Sequence, residues 1–270
     1  MFKLNLLNLQ CRINVMEIFF NMKDTIVQIY EIQTPHEAEE MINMGVDHIG
    51  SVLLSQDSWK VSSVREAVRV AKQGARSTLI PLFSDQDTVF RTLDYHDPDI
   101  VHFCDILTNG HNIVSETCKE LTDLQENVRK RFPEIKIMRA IPIAQTGMTD
   151  HIPTLELARI FEPLSDYFLI DTMLVNSAKH QPAGAFIGIT GQTCDWDMSK
   201  ELLNNSSVPV ILAGGLSPDN VSESIRYVGP VGVDSCTQTN AVDGNGQPIR
   251  FKKDLEKVKH FVEETRKLDA

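Results

Sequence analysis

Short runs of β-branched and aromatic residues recur along the chain at 25–30, 47–54, 78–83, 100–104, 135–141, 167–171, 208–213 and 231–235, and each is followed by an amphipathic helical pattern. In the first helical segment Thr34-Pro35-His36-Glu37 reads as a capping box with proline at the first helical position, and Ala38, Met41 and Ile42 mark one buried face ending at Gly45. Ser63-Val64-Arg65-Glu66 reads as a second capping box, with Val64, Ala67, Val68 and Ala71 as its apolar stripe and Gly74 closing the helix. Further helices follow on Val89, Phe90 and Leu93; on Leu121, Leu124 and Val128; on Leu157, Ala158 and Phe161; and on Met198, Leu202 and Leu203. Ser217-Pro218 opens a seventh through Val221 and Ile225, and Leu255, Val258 and Val262 carry the eighth.

Continuously apolar strands such as Pro209-Val210-Ile211-Leu212-Ala213 belong to a parallel sheet covered on both faces. Eight β-α units in about 245 residues predict a single (β/α)8 TIM barrel, with a doubly wound open sheet as the alternative. Pro81 removes a ladder donor from the third strand and predicts a bulge or a shorter strand there. Residues 1–24 mix apolar side chains with Lys3, Arg12 and Glu17, and read as an N-terminal extension outside the fold, with 25–270 as the barrel; a helix packed under the barrel is the alternative.

The chain has 270 residues and a formal net charge of −11, from 37 acidic and 26 basic side chains. That balance argues against a nucleic-acid partner or an anionic membrane surface, and it requires any small anion to be held by backbone amides and a few local cations. The five scattered cysteines form no C-x-x-C pair, which fits reduced thiols in the cytoplasm and implies no metal site.

In a (β/α)8 barrel the reacting groups sit at the carboxyl ends of the strands. Gly214-Gly215 follows the seventh strand and Ser235-Cys236-Thr237 the eighth, where barrels commonly hold a phosphate; a tight turn needing glycine for its geometry is the plain alternative. Asp171 ends the sixth strand, where partial burial would raise its pKa and make it a proton donor, against the alternative of a carboxylate that caps a loop. The long connection from Thr172 to Cys194, with Gly184, Gly188 and Gly191, has the length of a lid or binding loop.

Those residues lead to a resemblance that covers almost all of 25–267. Gly188-Ile189-Thr190-Gly191-Gln192-Thr193-Cys194-Asp195-Trp196 is similar to G-G-T-G-x-x-F-D-W, Pro209 through Val221 to P-x-x-L-A-G-G-L-x-P-x-N-V, Gly232-Val233-Asp234-Ser235 to G-V-D-x-S, and Val27-Gln28-Ile29-Tyr30-Glu31-Ile32 to V-K-I-C-G-I. The chain resembles the phosphoribosylanthranilate isomerases of tryptophan biosynthesis. That resemblance implies an Amadori rearrangement of an aminoaldose phosphate to an aminoketose without metal or organic cofactor. In it a general acid opens the furanose ring and a base removes the proton from the second sugar carbon. Asp171 matches the family's acid, and Gly214, Gly215 and the Ser235 region match its phosphate cradle, to which Cys236 and Gly191 are adjacent.

Other positions depart from the pattern. Tyr30 stands in the place of the catalytic cysteine, and Trp59 in the place of the arginine that holds the anthranilate carboxylate, with Lys60 one position away. A relocated base is then sought among Glu31, His102 and Cys104, of which His102 has the most suitable reference pKa, while barrel filling is the plain reading of His102 and Cys104. Arg139 on the fifth strand either reaches Asp171 or a substrate oxygen, or forms a structural ion pair. Three functions remain open: this isomerase with a relocated base, a related barrel acting on another phosphorylated sugar, and a non-catalytic phosphate binder. A small phosphorylated sugar is the expected partner, and a homodimer stays open.

Overall fold

The computed structural model describes residues 24–109, 111–175 and 187–268, so the expectations for the N-terminal extension and for Gly184 lie outside the described residues. Eight parallel strands close into a barrel in sequence order: β1 (Ile26–Ile29), β2 (His48–Leu53), β3 (Arg76–Pro81), β4 (Ile100–Phe103), β5 (Lys136–Ile143), β6 (Tyr167–Thr172), β7 (Val210–Leu212) and β8 (Gly232–Ser235). Closure is made by β1 against β8, in a register running from Ile26 opposite Gly232 to Ile29 opposite Ser235. Helices α1 (Pro35–Asn43), α2 (Ser62–Ala71), α3 (Gln86–His96), α4 (Ser115–Arg131), α5 (Thr154–Phe161), α6 (Trp196–Asn205), α7 (Val221–Val228) and α8 (Leu255–Arg266) follow the strands in turn. No helix among the described residues is long and apolar enough to cross a membrane.

The alternation of strand side chains divides the core in two. Val27, Ile29, Val101, Phe103, Ile137 and Ile141 point outward and pack with the helices, while Tyr30, Ile100, Cys104, Met138, Ala140, Leu169 and Ile211 fill the barrel. The filling is partly polar. Gln28 bridges His48 and Asp234 inside the barrel, with Gln28 Oε1 3.1 Å from His48 Nδ1 and Gln28 Nε2 donating to Asp234 Oδ1 at 3.1 Å.

Local chemistry sets the element ends. Thr34 and Glu37 form the reciprocal cap of α1, and Gly45, at φ +82°, turns the chain out of that helix. The expected capping box at Ser63 does not form: α2 starts at Ser62, after Val61, with no side-chain cap. α7 starts at Val221 rather than at Ser217-Pro218, because Asn220 Oδ1 accepts from the Ser217 amide and holds the intervening residues in a turn. Pro81 closes β3 opposite Leu53 in an unshifted register, and the Leu82 amide donates to the Leu53 carbonyl at 2.9 Å, so the six-residue strand shows neither the expected bulge nor the expected shortening.

One element goes beyond the eight-unit pattern. Between β8 and α8, β9 (Asn240–Val242) and β10 (Pro248–Lys253) form an antiparallel hairpin with an irregular register. Its turn is built on Asp243, whose Oδ1 accepts from the amides of Asn245 and Gln247 at 2.8 Å, and on Gly246 at φ +79°.

Candidate active site

Two connected lobes open at the carboxyl ends of the strands. The larger encloses about 550 Å3, including its open mouth, and its walls are mainly Val52, Ile80, Leu82, Leu169 and Ile187. The smaller, about 300 Å3, lies against Gly191, Gly214, Gly215, Ser235, Cys236 and Gln238. Asp171, Ile189, Asp234 and Cys236 line both lobes and therefore stand at their junction.

Asp171 is delivered by the last turn of the β6 pleat, on the same face as the interior residue Leu169. Its Oδ1 accepts from the Thr172 amide at 2.7 Å. Burial pushes the carboxyl up to about 7, against that hydrogen bond. Asp234, on the inward face of β8, was not among the residues singled out from the sequence as catalytic candidates. Burial pushes it up to about 8, opposed by the bond from Gln28 and reinforced by the charge of Asp171. Two carboxyls whose proton affinities lie near neutrality thus meet at the junction, a combination suited to proton transfer in both directions.

The smaller lobe has the construction of an anion cradle. The amides of Gly191, Gly215 and Cys236 meet no protein acceptor among the described residues. Gly214 and Gly215 adopt φ +83° and +61°, and a Cβ on Gly215 would lie 2.6 Å from the Gln192 carbonyl carbon. The glycines therefore serve a close backbone approach as well as the open amides. Ser235 donates its hydroxyl to the Leu216 carbonyl, tying the two halves of the cradle together. The described part of the β6–α6 loop closes over both lobes: the Ile187 amide bonds the Cys104 carbonyl at 2.8 Å, Thr172 Oγ1 bonds the Gln192 carbonyl at 2.7 Å, and Gln238 Nε2 bonds the Gly191 carbonyl at 2.9 Å.

The side chains considered for the base role are brought together, but in states unsuited to it. The Tyr30 hydroxyl lies 2.7 Å from His102 Nδ1, and burial, with the charge of Asp234, holds the phenol well above its usual range. Burial pushes His102 down to about 3, helped by the charge of Arg139, so the imidazole is neutral and a weak base. Cys104 and Cys236 are thiols, raised by burial, Cys236 to about 12. Glu31 is committed to structure: its carboxylate receives Arg250 Nε at 2.7 Å, the Phe251 amide at 3.0 Å and Asn240 Nδ2 at 3.0 Å. Burial works against the charge of Glu31, but the Phe251 and Arg250 hydrogen bonds outweigh it and lower the pKa.

Arg139 takes the structural ion pair, one of its two expected roles, and Lys60 lies away from the site. Arg139 faces the helices, because its strand neighbours Met138 and Ala140 face the interior; it pairs with Asp105 at 2.9 Å and Gln125 at 2.6 Å and stacks on Phe103 and Phe161. Lys60 is exposed, with its ammonium over the Tyr95 ring in a surface stack that includes Trp59, and it lines neither lobe. The charged group that does line the larger lobe beside Glu31 is Arg250 of β10. The signal for it was present in Asp243-Gly244-Asn245-Gly246, a turn sequence flanked by short apolar runs.

Comparison with known proteins agrees with this architecture. The family profile for N-(5'phosphoribosyl)anthranilate (PRA) isomerase matches residues 126–264. An N-(5'-phosphoribosyl)anthranilate isomerase of Methanocella arvoryzae is 33% identical over 54% of this chain and 58% of its own. Isomerase 1 of Methanosarcina mazei is 27% identical over 91% of this chain and 97% of its own. The chain thus spans little more than half of the first relative and nearly all of the second. A crystal structure of phosphoribosyl anthranilate isomerase in complex with reduced 1-(o-carboxyphenylamino)-1-deoxyribulose 5-phosphate superposes with a TM-score of 0.61 at 18% identity, over 90% of this chain and 99% of that one, a likeness of fold. The profile covers more than half of the chain, on strands and loops that build the lobes just described, and the chain belongs to the phosphoribosylanthranilate isomerase family.

Proposed function

We propose that the protein catalyses the Amadori rearrangement of N-(5'-phosphoribosyl)anthranilate to 1-(o-carboxyphenylamino)-1-deoxyribulose 5-phosphate, an aldose–ketose isomerisation of tryptophan biosynthesis in the cytoplasm. The observation that carries the reading is the raised carboxyl of Asp171 at the junction between a polar lobe lined by open backbone amides and a mainly apolar lobe.

In this reading the phosphate lies on the amides of Gly191, Gly215 and Cys236, the aromatic ring enters the larger lobe, and the ribose spans the junction. Protonated Asp171 gives its proton to the furanose ring oxygen as the C1–O bond breaks, leaving an iminium. Removal of the proton on the second sugar carbon then gives an enolamine, which tautomerises to the ketone. Asp234 takes the role of base, because it faces the same junction and its raised proton affinity makes it a stronger base than an ordinary aspartate. Tyr30, in the place of the family's cysteine, acts as a neutral wall fixed by His102.

The experiment is a fluorescence assay of the purified protein with phosphoribosylanthranilate, beside Asp171→Asn and Asp234→Asn. Each variant is expected to lose about 100- to 10,000-fold in kcat, the usual contribution of a positioned acid or base. No wild-type turnover at high enzyme concentration overturns the proposed activity. Full activity in either variant overturns the role given to that residue.

A further inference from the structure

Arg250 is an unusual arginine for a hairpin on a barrel rim. Its Nε is bound to Glu31 Oε1 at 2.7 Å, its guanidinium stacks on Phe251 with the carbon 4.7 Å from the ring centroid, and its side chain lines the larger lobe. Its Nη2 is buried and meets no hydrogen-bond partner among the described residues. A guanidinium presents its donors as a rigid fork, and Glu31 takes only the Nε edge. An unmet buried donor costs free energy unless a ligand atom meets it.

The support for this arginine is elaborate. Glu31 is held at φ +65° and Phe251 at φ +60°, conformations that non-glycine residues rarely adopt. The two are joined directly, since the Phe251 amide donates to Glu31 Oε2. Asn240 Nδ2 donates to the same oxygen, and Lys253 Nζ is fixed by Asn240 Oδ1 at 2.6 Å and the Cys236 carbonyl at 2.8 Å. Backbone strain at two contacting residues persists only where surrounding interactions fix it, and such strain gathers at ligand sites. Within the cluster one carboxylate stands against two cations, so the free edge of the Arg250 fork keeps its positive charge beside apolar walls.

We propose that Arg250, carried to the barrel mouth by the β9–β10 hairpin and held by Glu31, is the specificity-determining residue that recognises a carboxylate on an apolar, aromatic part of the substrate. This deepens the reading of the larger lobe as the place of the aromatic ring and rests on that reading for the identity of the acid. Glu31 acts as a positioning residue, orienting the fork without touching the ligand.

Binding separates the two ideas. Reduced 1-(o-carboxyphenylamino)-1-deoxyribulose 5-phosphate and its analogue lacking the carboxylate are titrated calorimetrically into wild type, Arg250→Ala and Arg250→Lys, and benzoate and benzamide are compared by ligand-observed NMR. Wild type is expected to prefer each carboxylate over its neutral counterpart by about 10- to 100-fold, the span of a charge-assisted bidentate contact. The preference should vanish in Arg250→Ala and fall several-fold in Arg250→Lys, which keeps the charge and loses the fork. Arg250→Ala leaves the Glu31 carboxylate buried without its cation, so the double variant Glu31→Gly/Arg250→Ala, in which glycine suits the positive φ, serves as a folded counterpart and should also lack the preference. Equal affinity of wild type for both members of each pair, or an unchanged preference without Arg250, overturns the inference. A benzoate preference that depends on Arg250, in a protein that does not turn over phosphoribosylanthranilate, supports the inference while overturning the proposed activity.

Discussion

Asp171 and Asp234 differ from the other carboxylates of the chain in where their protons are held. Burial raises them to about 7 and about 8 respectively, and each disfavours the charge of the other, so near neutrality the pair holds about one proton. With Asp171 as donor and Asp234 as acceptor, the reaction runs on the one-proton form that carries its hydrogen on Asp171, the less populated of the two because Asp234 holds its proton more tightly. The kcat/KM profile is therefore expected to be a narrow bell with its maximum between pH 7 and 8. It falls on the alkaline side as the donor is lost and on the acid side as the acceptor is protonated. A profile flat from pH 6 to 9 would remove the pair from the chemistry. His102 does not supply the limbs, since its folded value near 3 lies far below this range.

The loop between β6 and α6 is where backbone geometry and chemistry are most tightly joined. A Cβ on Gly188, itself at φ +106°, would lie 2.3 Å from Asp171 Oδ2. Gly188→Ala should therefore push the carboxylate from its position and reduce kcat by about tenfold or more, as small misplacements of a reacting group do, while the melting temperature falls by only a few degrees. An alanine variant with full kcat would show that the loop does not set the acid's position. At the next residue the sequence pattern misleads: Ile189 occupies a position that is glycine in the resembled G-G-T-G motif and adopts φ +60° at the junction of the lobes. Much else was legible. All eight strands and their helices follow from periodicity, as does the placement of Asp171 and Gly214-Gly215 at strand ends. The orientation of Arg139 was also readable, because side chains alternate along a strand and Met138 and Ala140 take the interior. Asp234 was in view by the same parity, as the inward residue of Gly232-Val233-Asp234-Ser235. Periodicity could not show the arginine delivered by the hairpin, because its contact with Glu31 joins residues 219 positions apart and depends on the strained backbone at both ends.

Across the whole molecule, the buried titratable groups make stability depend on pH in two opposing ways. His48 and His102 are both pushed down to about 3 by burial, so their contribution is present above the unfolded value near 6.5 and is lost as pH falls through about 3. Asp171 and Asp234 are raised, so their contribution is fully present below the unfolded value of 3.8 and is lost as pH rises through about 7 and about 8. Between about pH 4 and 6.5 His48 and His102, joined by His96, whose pKa burial also lowers, gain stability with pH while the two aspartates lose it, each at a limiting slope of about 1.4 kcal/mol per pH unit. These contributions offset one another in that window. Above it only the aspartates still titrate, and stability declines toward pH 8. Replacing both by asparagine removes the falling component: urea midpoints of Asp171→Asn/Asp234→Asn should rise with pH from 4 to 6.5 and then stay level, and at pH 8.5 they should exceed those of the wild type. Parallel pH curves for the two proteins, at equal m-values, would show that the aspartates carry no charge penalty in the folded barrel, and would remove with it the physical basis for a proton donor working near neutrality.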